Sequence, residues 1–177
     1  MSAVVFLRAV NVGTANRCRP AAIAKNLSKF EVVNIGAVGT FVVHKETSES
    51  VLRAAFAREL PFKCEIMICP GRDILKLAAA DPFSEYPPDP AITRFVNVLA
   101  RPVPSLAKPD ASLCLPSPSD WLVKVIGIRG RYVLGLYRRD LKAIGLLGKL
   151  EKEFGVPATN RNWNTMEKVA QVLQTTA

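Results

Sequence analysis

Phe6–Pro20, FLRAVNVGTANRCRP, joins an apolar run to an alanine-rich one. Ala3–Leu7 leads into it and reads as a buried strand. Ala21–Lys29 follows it and reads as a helix, with Pro20 suited to the first helical position, where its missing N–H costs nothing. The loop between them carries Arg8, Asn11, Gly13, Asn16, Arg17 and Arg19. A strand that opens through a polar, glycine-containing loop into a helix start is a common place to hold an anion. Backbone N–H groups there lack intrahelical partners and carry the positive end of the helix dipole. Arginine adds planar donor forks. The same residues also suit an ordinary turn, in which Asn11 and Gly13 satisfy the backbone and the arginines stay solvated.

The neighbouring segments extend this start into a fold. Ile23, Leu27 and Phe30 share one helix face. Glu31–Ile35 and Thr40–His44 read as strands around Gly36–Gly39, hence a β-hairpin. Thr47 or Ser48 caps a helix bearing Leu52, Ala55, Phe56 and Leu60, and Pro61 stops it. Lys63–Cys69 reads as a fourth strand. Strand, helix, strand, strand, helix, strand is the βαββαβ order of a ferredoxin-like fold. The fold class expected is therefore α+β: a ferredoxin-like domain over residues 1–70, then a second small α+β domain over 71–177.

In that second part Arg72–Ala80 reads as a short helix, and Asp81–Pro90, with four prolines, as irregular chain. Ile92–Ala100 is a strand, and Arg101–Ser119 a long proline-rich loop. Trp121–Ile128 and Tyr132–Arg138 form a hairpin about Arg129–Gly130. Leu141, Ile144, Leu147, Leu150 and Phe154 mark the expected buried stripe of the next helix. Gly145 and Gly148 inside it weaken it or permit close packing, and Gly155 and Pro157 end it. A last helix over Asn162–Gln174 presents Met166, Val169, Ala170 and Leu173.

Composition limits the chemistry. Nearly half of the 177 residues are apolar, enough for a core, yet no apolar run approaches the ~20 residues of a membrane-spanning helix. With no signal-peptide pattern, a cytoplasmic protein is expected. Four scattered cysteines, Cys18, Cys64, Cys69 and Cys114, give no zinc spacing and read as reduced thiols. Cys18, between two arginines, is the one placed to be reactive. The single histidine, His44, ends a strand before a polar turn, so triad chemistry finds little support. Neither a P-loop nor GxGxxG occurs, and the carboxylates fall at element ends without paired spacing. No metal and no cofactor is called for. A formal charge of +9 suits a partner with phosphates.

Three further groups stand out. Gly36–Thr40, GAVGT, opens the third strand and could approach the first loop. Thr159–Thr165, TNRNWNT, puts Asn160 or Asn162 where a helix cap belongs, and its Trp163 either stacks on a base or docks the last helix on the core. Arg129, Arg131, Arg138, Arg139 and Lys142 form a basic ribbon, suited to phosphates or to an ordinary solvated edge.

Two stretches, Phe6–Gly13 (FLRAVNVG) and Ala158–Thr165 (ATNRNWNT), resemble the opening LRGINVGG-like and closing TRNWNT motifs of the bacterial family catalogued as domain of unknown function 1697. The resemblance covers nearly the whole chain in the same order. It implies a ferredoxin-like first part and a second α+β part ending in the NWNT helix, with no established activity. Ala9 and Thr14 stand where the family motif has Gly, and Val38-Gly39-Thr40 where it has Ser-Gly-Asn. Arg8, Asn11, Gly13, Arg161, Asn162, Trp163 and Asn164 match it.

The expectation from residues and resemblance together is a ligand site at an inter-domain cleft. Arg8 and Arg17 would pair with an anion, Asn11 and Asn164 orient it, and Trp163 stack on it or wall it. Gly13, Arg161 and Asn162 complete the set. The ligand expected is nucleic acid or nucleotide-like. The alternatives are a metal-independent enzyme acting on a phosphorylated or carboxylated metabolite, and a structural module whose motifs hold the domains together. No reaction is named by these residues.

Overall fold

The computed structural model describes residues 2–103 and 113–175, so the middle of the proline-rich Arg101–Ser119 stretch lies outside the described residues. The chain is mixed α+β and divides into two compact units: Met1–Asp81 with Asn164–Ala177, and Pro82–Trp163. The boundary expected at residue 70 is therefore displaced, and the last helix belongs with the first unit. Packing gives the reason. β4 (Ile66–Pro70) runs directly into α3 (Gly71–Ala79). A Cβ at Gly71 would lie 2.7 Å from Ser2 Oγ and 2.9 Å from Leu173 Cδ2, so the start of α3, the start of the chain and the end of α5 (Trp163–Gln174) are pressed together.

In the first unit, β1 (Ala3–Leu7), β2 (Val32–Asn34), β3 (Thr40–Val43) and β4 form an antiparallel sheet in the order β2-β3-β1-β4. α1 (Pro20–Asn26), with a short 3-10 turn at Ser28–Phe30, and α2 (Glu49–Glu59) supply the crossovers. Val5 faces Phe41 and Ile68 across the ladders, and these pack with Ile23, Leu52 and Phe56 of the helices and with Leu27 at the end of α1. Val4, Phe6, Val42, Met67 and Cys69 on the other face are also buried. Burial on both faces explains why β1 reads as a continuous apolar run, without alternation. Ser48 occupies the N-cap of α2 as expected, but its hydroxyl meets Ser50 Oγ and bonds no backbone N–H.

In the second unit, β5 (Ile92–Leu99), β6 (Cys114–Leu115), β7 (Val123–Arg129), β8 (Tyr132–Arg138) and β9 (Ala158–Asn162) form an antiparallel sheet in the order β6-β7-β8-β5-β9. α4 (Leu141–Phe154) buries Ala143, Leu150 and Phe154 against Phe95, Val125 and Val133. The stripe expected on α4 is rotated. Its spacing starts from Ala143, leaving Leu141 88% and Ile144 63% exposed. A methyl at Gly145 or Gly148 would meet nothing within 4 Å, so these glycines serve no close packing. Gly155, left-handed at φ +63°, caps the helix as its position foretold.

Candidate functional site

The loop from Arg8 to Arg19 is fastened by its own side chains. Asn11 Nδ2 donates to Cys18 O (3.1 Å) and to Ala37 O (2.7 Å), while Asn11 Oδ1 accepts from Cys18 N (3.0 Å). Asn16 Nδ2 donates to Ala9 O, and Asn11 N to Asn16 O. The bond to Ala37 ties the loop to the β2–β3 hairpin, which antiparallel pairing of β1 with β3 brings alongside. Leu7 N donates to Gly39 O in the same place. The expected proximity of GAVGT to the first loop is thus realised. Ala9, Asn11, Gly13 and Asn16 all have positive φ, between 51° and 63°.

These bonds change the roles expected here. Both amide N–H groups of Asn11 are engaged by carbonyls, so its donors hold the loop and do not orient a ligand. Gly13 is exposed and supplies the left-handed backbone. Arg8 is half-buried, with its backbone N–H on Glu65 O. The helix start offers little to an anion. α1 has seven residues, Pro20 has no N–H, and Ala22 and Ile23 already donate to Arg19 O. What remains open is the pair Arg17 and Arg19. Both are exposed and, among the described residues, neither side chain has a hydrogen bond or ion pair.

The closing motif is differently placed. Thr159, Asn160 and Arg161 belong to β9, an edge strand whose Arg161 faces Val96 of β5. The Arg161 side chain is 5% exposed, and one terminal nitrogen donates to Thr159 Oγ1 and Asn160 O, each at 2.7 Å. Burial lowers its pKa to about 10, which still leaves it charged at neutral pH. Trp163 is 3% exposed and tilts against Phe83 at 5.0 Å between centroids, so it docks and leaves no open face for a base. Asn162 and Asn164 are exposed at the junction of β9 and α5. Asn160 does not cap: its Oδ1 is buried and accepts no hydrogen bond. The expected site residues therefore fall into two groups. Arg8, Asn11, Gly13, Arg17 and Asn164 belong to the first unit, and Arg161, Asn162 and Trp163 to the second.

Part of the basic ribbon is engaged within the fold. Arg131 binds Leu99 O and Ala100 O, Arg138 binds Trp121 O and lies over the Trp121 ring, and Arg139 reaches Thr93 Oγ1. Arg131 is thereby half-buried, while Arg138 and Arg139 stay exposed, as do Arg129 and Lys142 of the same ribbon. Cys18 is half-buried against the first core, and burial pushes its thiol pKa up, opposite to the shift a reactive thiolate needs. Cys64 is raised as well, chiefly by burial. Among the described residues, no three His, Cys, Asp or Glu side chains are grouped to hold a metal, and no helix is long and apolar enough to cross a membrane.

No family model and no curated protein matches the chain. Among solved structures it is similar to the conserved bacterial protein SP0830 from Streptococcus pneumoniae, with a TM-score of 0.62 at 15% identity, over 97% of this chain and 98% of that one. At that identity the likeness is one of fold.

Proposed function

We propose that this chain binds a polyanion, nucleic acid or a nucleotide-like ligand, through the Phe6–Pro20 loop. The observation that carries this reading is the pairing of a fastened backbone with two open cations. Asn11 and Asn16 hold the loop, and Arg17 and Arg19 stand exposed on it, their guanidinium groups without intramolecular partners among the described residues. A preformed cationic loop loses little conformational freedom when a phosphate binds. The charge of +9 would add long-range attraction. Four free cysteines fit a reducing compartment, in keeping with a cytoplasmic location. The sheet order β2-β3-β1-β4, with two crossover helices, supports a ferredoxin-like first unit. The two matching motifs support divergent membership of the family of domain of unknown function 1697.

The test is fluorescence anisotropy of labelled single-stranded RNA and DNA across a salt series. The wild type should bind with an affinity that falls steeply with salt. The Arg17→Ala/Arg19→Ala variant should flatten the log–log slope by roughly 0.7 per arginine removed. An unchanged slope in that variant, or no wild-type binding at low salt, would overturn the reading. For the closing motif a structural role is favoured, because Trp163 and Arg161 are buried and engaged.

A further inference from the structure

The second unit contains a cavity of about 460 Å³ between β5 and the segment that precedes it, within the range of small-molecule sites. Its floor is apolar. Ile92 and Arg94 share one face of β5, and Leu136 of β8 lies directly opposite Arg94. Its wall is stiff. Pro87, Pro88 and Pro90 fix their φ angles, Tyr86 N bonds Phe83 O, and Asp89 Oδ1 accepts from Ala91 N.

The charges are the informative feature. Arg94 is half-buried, with its guanidinium 5.9 Å from the centroid of the buried Phe83 ring. Among the described residues its guanidinium has no ion pair and no hydrogen bond. Glu85 and Asp89 line the same cavity, and neither pairs with Arg94. A half-buried guanidinium gains from a carboxylate, which it can grip with two parallel N–H bonds. A simple anion would meet Arg94 but also two carboxylates, and a simple cation the reverse. A molecule carrying both charges satisfies both sides.

We propose that this cavity binds a free α-amino acid with an apolar side chain. Its carboxylate pairs with Arg94, its ammonium with Glu85 and Asp89, and its side chain lies over Ile92 and Leu136 beside the Tyr86 ring. This site lies wholly in the second unit and does not depend on the polyanion reading of the first loop.

Isothermal titration of the full chain tests it with L-phenylalanine, L-leucine and L-methionine. 3-Phenylpropionate lacks the ammonium and 2-phenylethylamine lacks the carboxylate. At least one of the three amino acids should bind below about 1 mM, and for phenylalanine both truncated analogues should be at least about tenfold weaker. Arg94→Gln should lower amino-acid affinity at least about tenfold, and Glu85→Gln/Asp89→Asn should abolish the preference for phenylalanine over phenylpropionate. Methyl NMR of the unsubstituted protein gives a readout independent of any variant's folding: Ile92 and Leu136 signals should move on addition of the amino acid. No binding by the three amino acids, equal binding of phenylalanine and phenylpropionate, or shifts that spare Ile92 and Leu136 would each overturn the assignment.

Discussion

Substitutions at Asn11 separate two contributions to the stability of the first loop. The side chain makes three hydrogen bonds, two of them partly buried and one exposed, and the residue sits at φ +55°. A net hydrogen bond contributes about 0.5–1.5 kcal/mol, and partial exposure puts these three in the lower half of that range, giving about 2 kcal/mol together. Asn11→Gly removes the bonds and keeps the left-handed backbone at ease, so it should cost about 2 kcal/mol. Asn11→Ala removes the same bonds and adds roughly 1 kcal/mol of left-handed strain, for a total near 3. Urea unfolding at 25 °C, with the m-value shown to be unchanged, measures both. Glycine should lie between wild type and alanine. If both variants cost less than about 0.5 kcal/mol, the loop is not held by Asn11. If alanine and glycine coincide, the backbone relaxes out of the left-handed region and the strain argument fails.

Other positions report on the same physics. Gly39→Ala combines φ +75° with a Cβ 2.8 Å from that of Leu7, and should cost at least about 2 kcal/mol in urea unfolding, whereas Ala9→Gly relieves a left-handed alanine and should stabilise by up to ~1 kcal/mol. Gly135→Ala should be as severe as Gly39→Ala, because the added methyl would meet the Phe95 ring and lie 2.6 Å from Lys124 O. Gly148→Ala, on the open side of α4, should raise stability by about 1 kcal/mol, visible as a higher melting temperature. The raised thiol pKa of Cys18 predicts slow alkylation at neutral pH. The rate should still be climbing above the ordinary thiol value of 9.0, since thiolate forms only as pH passes the raised pKa, and a plateau at pH 8 would contradict this.

The first seventy residues were legible because each element there is bounded by a strong local signal. Pro20 opens α1, glycines turn the hairpin, Pro61 follows α2, and the strands are apolar on both faces. The site within them was less legible. Asn11 reads as a ligand donor or as a turn residue with equal ease. Only the approach of Cys18 and Ala37, the latter 26 residues away, decides between the two. β9 was missed for a related reason. Ala158–Asn162 is mostly polar, and its strand character comes from pairing with β5, some sixty positions earlier in the chain, which no local pattern encodes. The rotated stripe of α4 shows the limit of periodicity. Leu141, Ile144 and Leu147 fit one helical face as well as Ala143, Leu147 and Leu150 do, and small Ala143 wins because it lies against the sheet. Arg94 is the one charge in β5, a mostly apolar strand, but its cavity depends on the fold of the proline-rich segment before it.

The two motifs that look alike in sequence, each rich in Asn and Arg, are used in opposite ways. In the closing motif the large groups turn inward. Trp163 meets Phe83, and one terminal nitrogen of Arg161 bonds within its own strand. In the opening loop Asn11 and Asn16 turn inward, while Arg17 and Arg19 turn out. Four left-handed residues within eight positions are expensive, and one of them is an alanine with no amide of its own to offset the strain. A loop whose only task was to connect β1 to α1 has cheaper conformations available, since such connections are commonly two to six residues long. The strain is sustained because Asn11 and Asn16 over-determine the backbone, and its consequence is that Arg17 and Arg19 are held on a fixed support. An anion bound by this protein should therefore be sensitive to Arg17, Arg19 and the integrity of Asn11, and should register Trp163 only through stability.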